Sequence, residues 1–391
     1  MISTTRIKVL VILEPGFAGA KRLTLDLLGS LDLEKFEVTF IYSLVRSDNW
    51  YTAEISQLAK KGIRCIEVPM DRNIRPLKDI RSFLKIVREI RRWRPDIVHT
   101  HSSKAGFLGR LAAKVTSLRI RTVYTPHGMA FYESKLALVL ERLAGVLTDR
   151  LIAVSASEAN DILSAKVLSA RKVRIIPNAV HSPDDYPRRR KRSTIGDKFV
   201  VSSSGRISGV KNALLFFQTA AEVMSSGDSV SFLWVGDFDM HDEEAEAVKA
   251  LRTRDYYANK VTITGWVSDP NEYICNSDLF LMLSKHESFG YVTADAMMMS
   301  VPVIAVKSTG TSDLIKHNHT GIFVEPRCEN IAEAIRRLVR DDELRQRITQ
   351  DAKESIGDNF SLSRMVSRYE RTYQELVSEV CEHKTFIGDG N

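Results

Sequence analysis

Cysteine is scarce in this chain. The four residues Cys65, Cys275, Cys328 and Cys381 lie far apart among 391, and no CxxC pair occurs. That spacing fits neither a disulfide framework nor a thiolate zinc site, and it favours a reducing compartment. Long apolar runs are also missing. The run Val9 to Leu13 stops at Glu14, too short for a signal-peptide core of ~7–15 residues and for the ~20 residues of a membrane span. It reads as the first buried strand of a cytoplasmic protein. No extreme of composition appears either. Hydrophobic residues make up 44% and charged residues 27%, which excludes a disordered or fibrous chain. At ~150 residues per domain the length implies two or three domains, with cores that need no metal or disulfide staple.

What the chain does have is an asymmetric charge. Its net +7 combines 30 Lys+Arg against 17 Asp+Glu in residues 1–181 with 20 against 29 in residues 201–391. Halves of opposite sign imply two domains facing different partners. Short strand-like runs alternate with helical patterns in both halves. In the first they are Lys8–Leu13, Val38–Tyr42, Ile97–Thr100, Thr122–Thr125 and Leu151–Val154. In the second they are Phe199–Ser203, Ser231–Val235, Val261–Thr264, Asp278–Leu283 and Val301–Val306. This alternation predicts an α/β protein with two doubly wound parallel sheets. The organisation expected is a Rossmann-like domain over 1–181, a basic linker over 182–198, a second Rossmann-like domain over 199–360, and a helix with a tail over 361–391. The linker carries Pro183, Pro187 and the run Arg188 to Arg192, the mark of exposed chain.

Each half opens with a strand, a glycine-containing basic loop and a helix. The loops are Gly16 to Arg22 and Gly205 to Asn212. Open α/β sheets bind ligands at the carboxyl ends of their strands, so a cleft between the domains is the expected site. The second loop holds Arg206 and Lys211 ahead of a helical pattern from Ala213, a combination suited to a diphosphate, although a turn with surface cations would look the same. In Leu281–Ser300 a strand ends near Ser284. The turn Glu287-Ser288-Phe289-Gly290 then places a carboxylate beside free helix N–H groups, and Asp295 follows along the helix. Such carboxylates either accept hydrogen bonds from sugar hydroxyls or merely cap and solvate a helix.

Glu287 and Asp295, with seven residues between them, resemble the E-x7-E motif of retaining GT-B glycosyltransferases of family 4 (glycosyltransferase group 1). Further segments fall in that family's order. They are His99 to Gly106, Thr125-Pro126-His127-Gly128, Pro177 to Val180, Gly205-Arg206 with Lys211-Asn212, Val235-Gly236, Gly265-Trp266-Val267, Ser308 to Asp313 and Thr320 to Val324. The resemblance covers about residues 6–375. It implies a GT-B fold and a nucleotide-sugar co-substrate, UDP- or GDP-linked, with no cofactor and no metal. Arg206 and Lys211 would hold the donor diphosphate, Glu287 the sugar hydroxyls, and His127 would reach the transferred sugar. Gly19, Gly205, Gly236, Val267, Phe289, Gly290, Tyr291, Val292 and Asp295 would complete the donor site, and His101 and Lys104 would face the acceptor. Two departures stand out. Asp295 is one methylene shorter than the usual Glu, and the first loop reads Gly-Phe-Ala-Gly rather than a tandem Gly-Gly. The resemblance also implies a front-face retaining transfer to a glycan or polyprenyl-diphosphate-linked acceptor. The segments look most like enzymes of bacterial capsule, O-antigen or exopolysaccharide synthesis.

Other signals point elsewhere. Asp237-Phe238-Asp239 matches a metal-diphosphate signature of a different transferase fold, but two cations already serve the phosphate. His99 and His101 form an HxH pair without an apparent third ligand, and Met297 to Met299 read as core filler. Leu77–Trp93 carries an apolar stripe (Leu77, Ile80, Phe83, Leu84, Val87, Ile90) among arginines. It reads as a helix packed on the sheet, or as a basic surface meeting anionic lipid on the inner face of the cell membrane. The rival functions are a sugar-nucleotide epimerase of the same fold and a non-catalytic nucleotide-sugar sensor. A nucleic-acid-binding protein is a third, but no nucleic-acid motif is visible and nucleic acid is not expected as a partner.

Overall fold

The computed structural model describes residues 6–128, 135–189, 198–227, 229–240, 242–252 and 261–388. The chain forms two compact units. Unit 1 comprises residues 1–179 with 362–391, and unit 2 residues 180–361. The division falls two residues before the expected one. Ser182 to Tyr186 belong to unit 2, and Arg190, Lys191 and Arg192 of the basic run lie outside the described residues.

Unit 1 holds the strands β1 (Ile7–Leu13), β2 (Phe36–Tyr42), β3 (Arg64–Glu67), β4 (Ile97–His101), β5 (Arg121–Thr125), β6 (Arg150–Ala153) and β7 (Val173–Ile175). They form one sheet in the order β3-β2-β1-β4-β5-β6-β7, and every pairing is parallel. The connecting helices are α1 (Ala18–Ser30), α2 (Tyr51–Lys60), α3 (Pro76–Trp93), α4 (Ser103–Thr116), α5 (Lys135–Val146) and α6 (Ala156–Ser164). Right-handed crossovers place α1 and α2 on one face, and α3 to α6 on the other. Strands buried on both faces need continuous apolar runs. Val9 to Leu13 are accordingly all inaccessible to solvent.

Unit 2 repeats the plan. Its elements are β8 (Phe199–Ser204), α7 (Ala213–Ser225), β9 (Val230–Val235), α8 (Glu243–Arg252), β10 (Val261–Ile263), α9 (Asn271–Ile274), β11 (Leu279–Met282), α10 (Tyr291–Met298), β12 (Val303–Val306), α11 (Thr311–Leu314), β13 (Ile322–Val324), α12 (Cys328–Arg340) and α13 (Asp342–Asn359). The parallel sheet runs β10-β9-β8-β11-β12-β13. Phe216, Phe217, Phe232 and Trp234 fill its core with edge-on and stacked rings, and Met297 and Met298 are buried on α10.

The last helix, α14 (Leu362–Gly388), belongs to unit 1. Glu370 accepts the Asp32 amide at 3.0 Å beyond α1, and Glu379 pairs with Arg150 of β6 at 2.9 Å. In each sheet the strand order reverses at one place, between β1 and β4 in unit 1 and between β8 and β11 in unit 2. Loops leaving the carboxyl ends at such a switch point diverge to opposite faces and leave a crevice for ligands.

Candidate active site

The switch point of unit 2 brings the two sequence motifs together. Gly205 to Asn212 leave the end of β8, and 283–290 leave the end of β11. Lys211 Nζ lies 2.5 Å from Glu287 Oε1, and both side chains are largely shielded from solvent. Two glycines beside these loops are fixed by close backbone approach. Gly236, at the end of β9, has φ 143°, and a Cβ there would lie 2.1 Å from the Gly205 carbonyl. That same carbonyl accepts the Trp234 indole N–H at 2.8 Å, and Gly236 bridges to Gly265, two residues before the half-buried Val267. Gly310 sits against the carboxylate turn, and a Cβ there would come within 2.8 Å of the Glu287 carbonyl. No side chain fits either position.

The turn ends at Gly290 (φ 90°), which caps α10 at its N-terminus. Gly290 O accepts the Thr293 and Ala294 amides, while Tyr291 and Val292 occupy the first two helical positions. Phe289 is buried and packs edge-on against Tyr291 and Phe360. Asp295 is buried as well, only 2% exposed, and accepts the Tyr186 hydroxyl at 2.5 Å. It is therefore not a solvated position on the helix surface. Tyr186 lies in the stretch expected as linker, and nothing in its local pattern marks this pairing.

The acidic stretch after β9 folds onto the Gly205 to Asn212 loop. Asp239 Oδ2 accepts from Arg206 Nη1 at 2.6 Å, although the Arg206 side chain is half exposed. Asp242 accepts the Gly209 amide at 2.9 Å together with the first amides of α8, and Glu244 pairs with Lys285 at 2.8 Å. Asp237 accepts the next backbone amide. The DxD carboxylates thus serve Arg206 and the local backbone. Among the described residues no group of three or more His, Cys, Asp or Glu is arranged to hold a metal ion.

In unit 1 the histidines form a stacked column at the end of β4. Alternation along the strand puts His99 and His101 on one face, with ring centroids 4.1 Å apart. His99 Nδ1 lies 2.7 Å from the Tyr373 hydroxyl of α14, and its Nε2 lies 2.9 Å from Thr125 Oγ1. His101 Nδ1 shares a hydrogen bond with His127 Nε2 at 2.9 Å, so one ring donates while the other accepts. The remaining nitrogen, His101 Nε2, is buried and has no hydrogen-bond partner among the described residues. Burial disfavours the imidazolium here. It lowers His99 and His127 from 6.5 to about 3, and it lowers His101 well below the usual value, with neighbouring rings adding to the effect.

The His127 backbone is left-handed (φ 58°), and the next residue is held by a carboxylate the sequence reading had passed over. Glu158 accepts the Gly128 amide at 2.9 Å and the Val154 amide at 2.7 Å. It is buried, and desolvation pushes its pKa from 4.5 up to about 7 against the pull of those two amides. The available signal was Ser155-x-x-Glu158, the spacing of a helix cap, and Ser155 Oγ does accept the Glu158 amide at 3.0 Å.

The other unit 1 candidates have local partners. Lys104 Nζ pairs with Asp79 at 2.7 Å and donates to the Asn73 carbonyl, tying α4 to the start of α3. Gly19 is the second residue of α1. Gly16 is required by packing, because a Cβ there would fall 2.3 Å from the Tyr51 ring.

Two family models match consecutive parts of the chain. Glycosyltransferase Family 4 matches residues 17–182, and Glycosyl transferases group 1 matches residues 185–355. Among solved structures, Anabaena HepE in complex with UDP and glucose superposes with a TM-score of 0.80 at 19% identity, covering 94% of this chain and 100% of that one. Sucrose-phosphate synthase from Thermosynechococcus elongatus gives 0.75 at 17%, covering 96% and 100%. The architecture is therefore GT-B, two parallel-sheet α/β domains. The chain belongs to the glycosyltransferases built from these two domains. It is 26% identical to the capsular polysaccharide biosynthesis glycosyltransferase CapM of Staphylococcus aureus, over 80% of this chain and 85% of that protein. It is 27% identical to the UDP-Gal:alpha-D-GlcNAc-diphosphoundecaprenol alpha-1,3-galactosyltransferase of Escherichia coli, over 94% and 96%.

Proposed function

We propose that this glycosyltransferase moves a hexose from a nucleotide-diphosphate sugar, with retention and without a metal ion, to a polyprenyl-diphosphate-linked glycan in bacterial surface polysaccharide synthesis. The observation that carries the reading is the pairing of Lys211 with Glu287 at the switch point of unit 2. A cation placed for phosphate and a carboxylate placed for sugar hydroxyls stand in contact at the mouth of two glycine-bounded loops. In the proposed cycle the donor diphosphate takes over Lys211 and Arg206, which releases Glu287 toward the hexose. Charge developing on the departing phosphate then meets preorganised cations, the kind of electrostatic stabilisation that lowers such barriers most. The same cations neutralise the leaving group, which is why no metal is assigned. Backbone amides at the start of α10 add dipolar support. His127 is assigned to the transferred sugar as a neutral imidazole, able to donate or accept a hydrogen bond without carrying charge.

The names of two relatives support the proposed acceptor class. The Escherichia coli enzyme is named for a diphosphoundecaprenol-linked sugar and the Staphylococcus aureus protein for capsule synthesis. An acceptor of that kind places the reaction at the inner face of the cell membrane. No helix among the described residues is long and apolar enough to cross a membrane, so contact with the bilayer would be peripheral. The test is transfer from UDP- and GDP-hexoses to a synthetic polyprenyl-diphosphate sugar in EDTA, with the product anomer read by NMR. The reading expects the donor's anomeric configuration in the product. An inverted product, or turnover that requires added divalent ions, overturns the mechanism. Isomer interconversion without acceptor would identify an epimerase instead.

A further inference from the structure

The His101 ring is inaccessible to solvent, and its two nitrogens are in different situations. Nδ1 lies 2.9 Å from His127 Nε2, with the ring planes 25° apart and the centroids separated by 5.2 Å. Nε2 is buried and has no hydrogen-bond partner among the described residues. His99, stacked on the other side, cannot relieve it, because its own nitrogens are engaged by Tyr373 and Thr125. One proton lies between His101 and His127, which leaves two arrangements. If His127 Nε2–H donates, neutral His101 carries its proton on Nε2 and strands a buried N–H. If His101 Nδ1–H donates, Nε2 is a bare lone pair, and neutral His127 carries its proton on Nδ1. Buried N–H groups are orphaned less often than buried acceptors are left under-satisfied, so the second arrangement is favoured. An imidazolium on either ring would add a buried charge and still strand that N–H.

We infer that His101 is a positioning residue: it donates from Nδ1 to His127 Nε2 and so holds His127 as the Nδ1–H tautomer, which offers the transferred sugar a hydrogen-bond donor and not an acceptor. The bond made by one ring nitrogen decides the protonation of the other. His127 is half-buried, and among the described residues its ring hydrogen-bonds to His101 alone. Its backbone is held too. Glu158 accepts the amide of Gly128 at 2.9 Å, next to the left-handed His127 at φ 58°, a conformation that a non-glycine residue keeps where its surroundings impose it. Ring and backbone are thus both fixed before any sugar arrives, and a donor already aimed needs no reorganisation during the reaction. In this role His101 acts through His127 rather than on an acceptor. The inference rests on the assignment of His127 to the transferred sugar for its purpose, whereas the tautomer is a property of unit 1 alone.

The test is NMR of the full chain labelled with nitrogen-15 in its histidine rings, recorded without substrate at about pH 8, where protonated and bare ring nitrogens differ in chemical shift. The His127 signals, identified by their loss in His127→Asn, are expected to show a protonated Nδ1 and a bare Nε2. A protonated Nε2, or an exchanging mixture of the two neutral forms, overturns the inference. His101→Leu removes the donor. It should release His127 into such a mixture and lower kcat about 3- to 10-fold, the net worth of one neutral hydrogen bond, with KM for the nucleotide sugar nearly unchanged. His101→Asn places an amide N–H near the site of Nδ1 and should restore the tautomer and most of kcat, which a merely space-filling role would not do. An unchanged His127 tautomer in His101→Leu, or no recovery in His101→Asn, overturns the inference. The wild-type spectrum carries the test even where His101→Leu fails to fold. It is read on the free protein, so failure of the proposed transfer and failure of this inference are distinguishable.

Discussion

Mild acid should destabilise unit 1 through its histidine column. Folding lowers three imidazoles below the 6.5 of free histidine. Between pH 6.5 and about 3 the unfolded chain therefore takes up protons that the folded chain refuses, and stability falls with pH. Glu158 acts in the opposite sense. Its folded value of about 7 lies above 4.5, so the folded chain binds that proton first and stability rises as pH falls between the two. From pH 7 to 5 the neutral His99 and His127 rings each cost about 2 kcal/mol by linkage, and Glu158 offsets about 2 kcal/mol. The net loss is then about 2 kcal/mol, and His101, lowered in the same direction by burial, adds to it. For a unit of this size the melting temperature should drop by at least about 4–8 °C between pH 7 and 5. The assay is thermal unfolding by circular dichroism at half-unit pH steps. Glu158→Gln removes the opposing group, so its melting temperature should fall more steeply by a further ~4–8 °C over the same interval. A flat or rising melting temperature in the wild type, or the same slope in the variant, would refute the assignment of neutral imidazoles and a protonated Glu158.

Three further outcomes follow from the proposed donor site. Lys211→Ala should lower kcat/KM by about 30- to 1,000-fold, the 2–4 kcal/mol typical of one preorganised donor, while circular dichroism stays native; wild-type turnover would remove Lys211 from the chemistry. Asp239→Asn weakens the ion pair of the half-exposed Arg206 and should tighten UDP or GDP up to about fivefold in calorimetry, whereas weaker binding would mean that Asp239 positions Arg206. Gly236→Ala puts a Cβ 2.1 Å from a carbonyl at φ 143° and should destabilise unit 2 by more than ~3 kcal/mol in denaturant unfolding. A change below 1 kcal/mol would show that the β8 and β9 ends can separate cheaply.

Central strands were legible in the sequence because burial on both faces enforces continuous Val, Ile and Leu. The strands that escaped, Arg64–Glu67, Val173–Ile175 and Ile322–Val324, all lie at sheet edges. Three or four residues with one side open to solvent carry little pattern. The helix Pro76–Trp93 shows the converse. Its apolar periodicity was real, but periodicity does not say which apolar positions face the sheet, and Leu77, Ile80 and Leu84 face out. At the candidate site, glycine turns and cations could be placed on strand ends, and topology then brought Lys211 to Glu287. Partners distant in sequence and of ordinary type could not be read. Tyr186 for Asp295, Asp239 for Arg206 and Tyr373 for His99 are set by tertiary packing alone. Lys104 looked available for an acceptor, and only the position of Asp79 one helix away shows what it holds.

The central claim is a diphosphate site built by Arg206 and Lys211, and nucleotide-induced thermal stabilisation in EDTA tests it most directly. UDP, GDP, ADP and dTDP would be compared on the wild type and on the Arg206→Ala, Lys211→Ala variant. A ligand at 100 times its dissociation constant adds about 2.7 kcal/mol, which for a domain of this size is roughly 5–11 °C. The account predicts a selective shift of that size for UDP or GDP in the wild type and none in the variant. No shift with any nucleotide at millimolar concentration, or an equal shift in the variant, would contradict it.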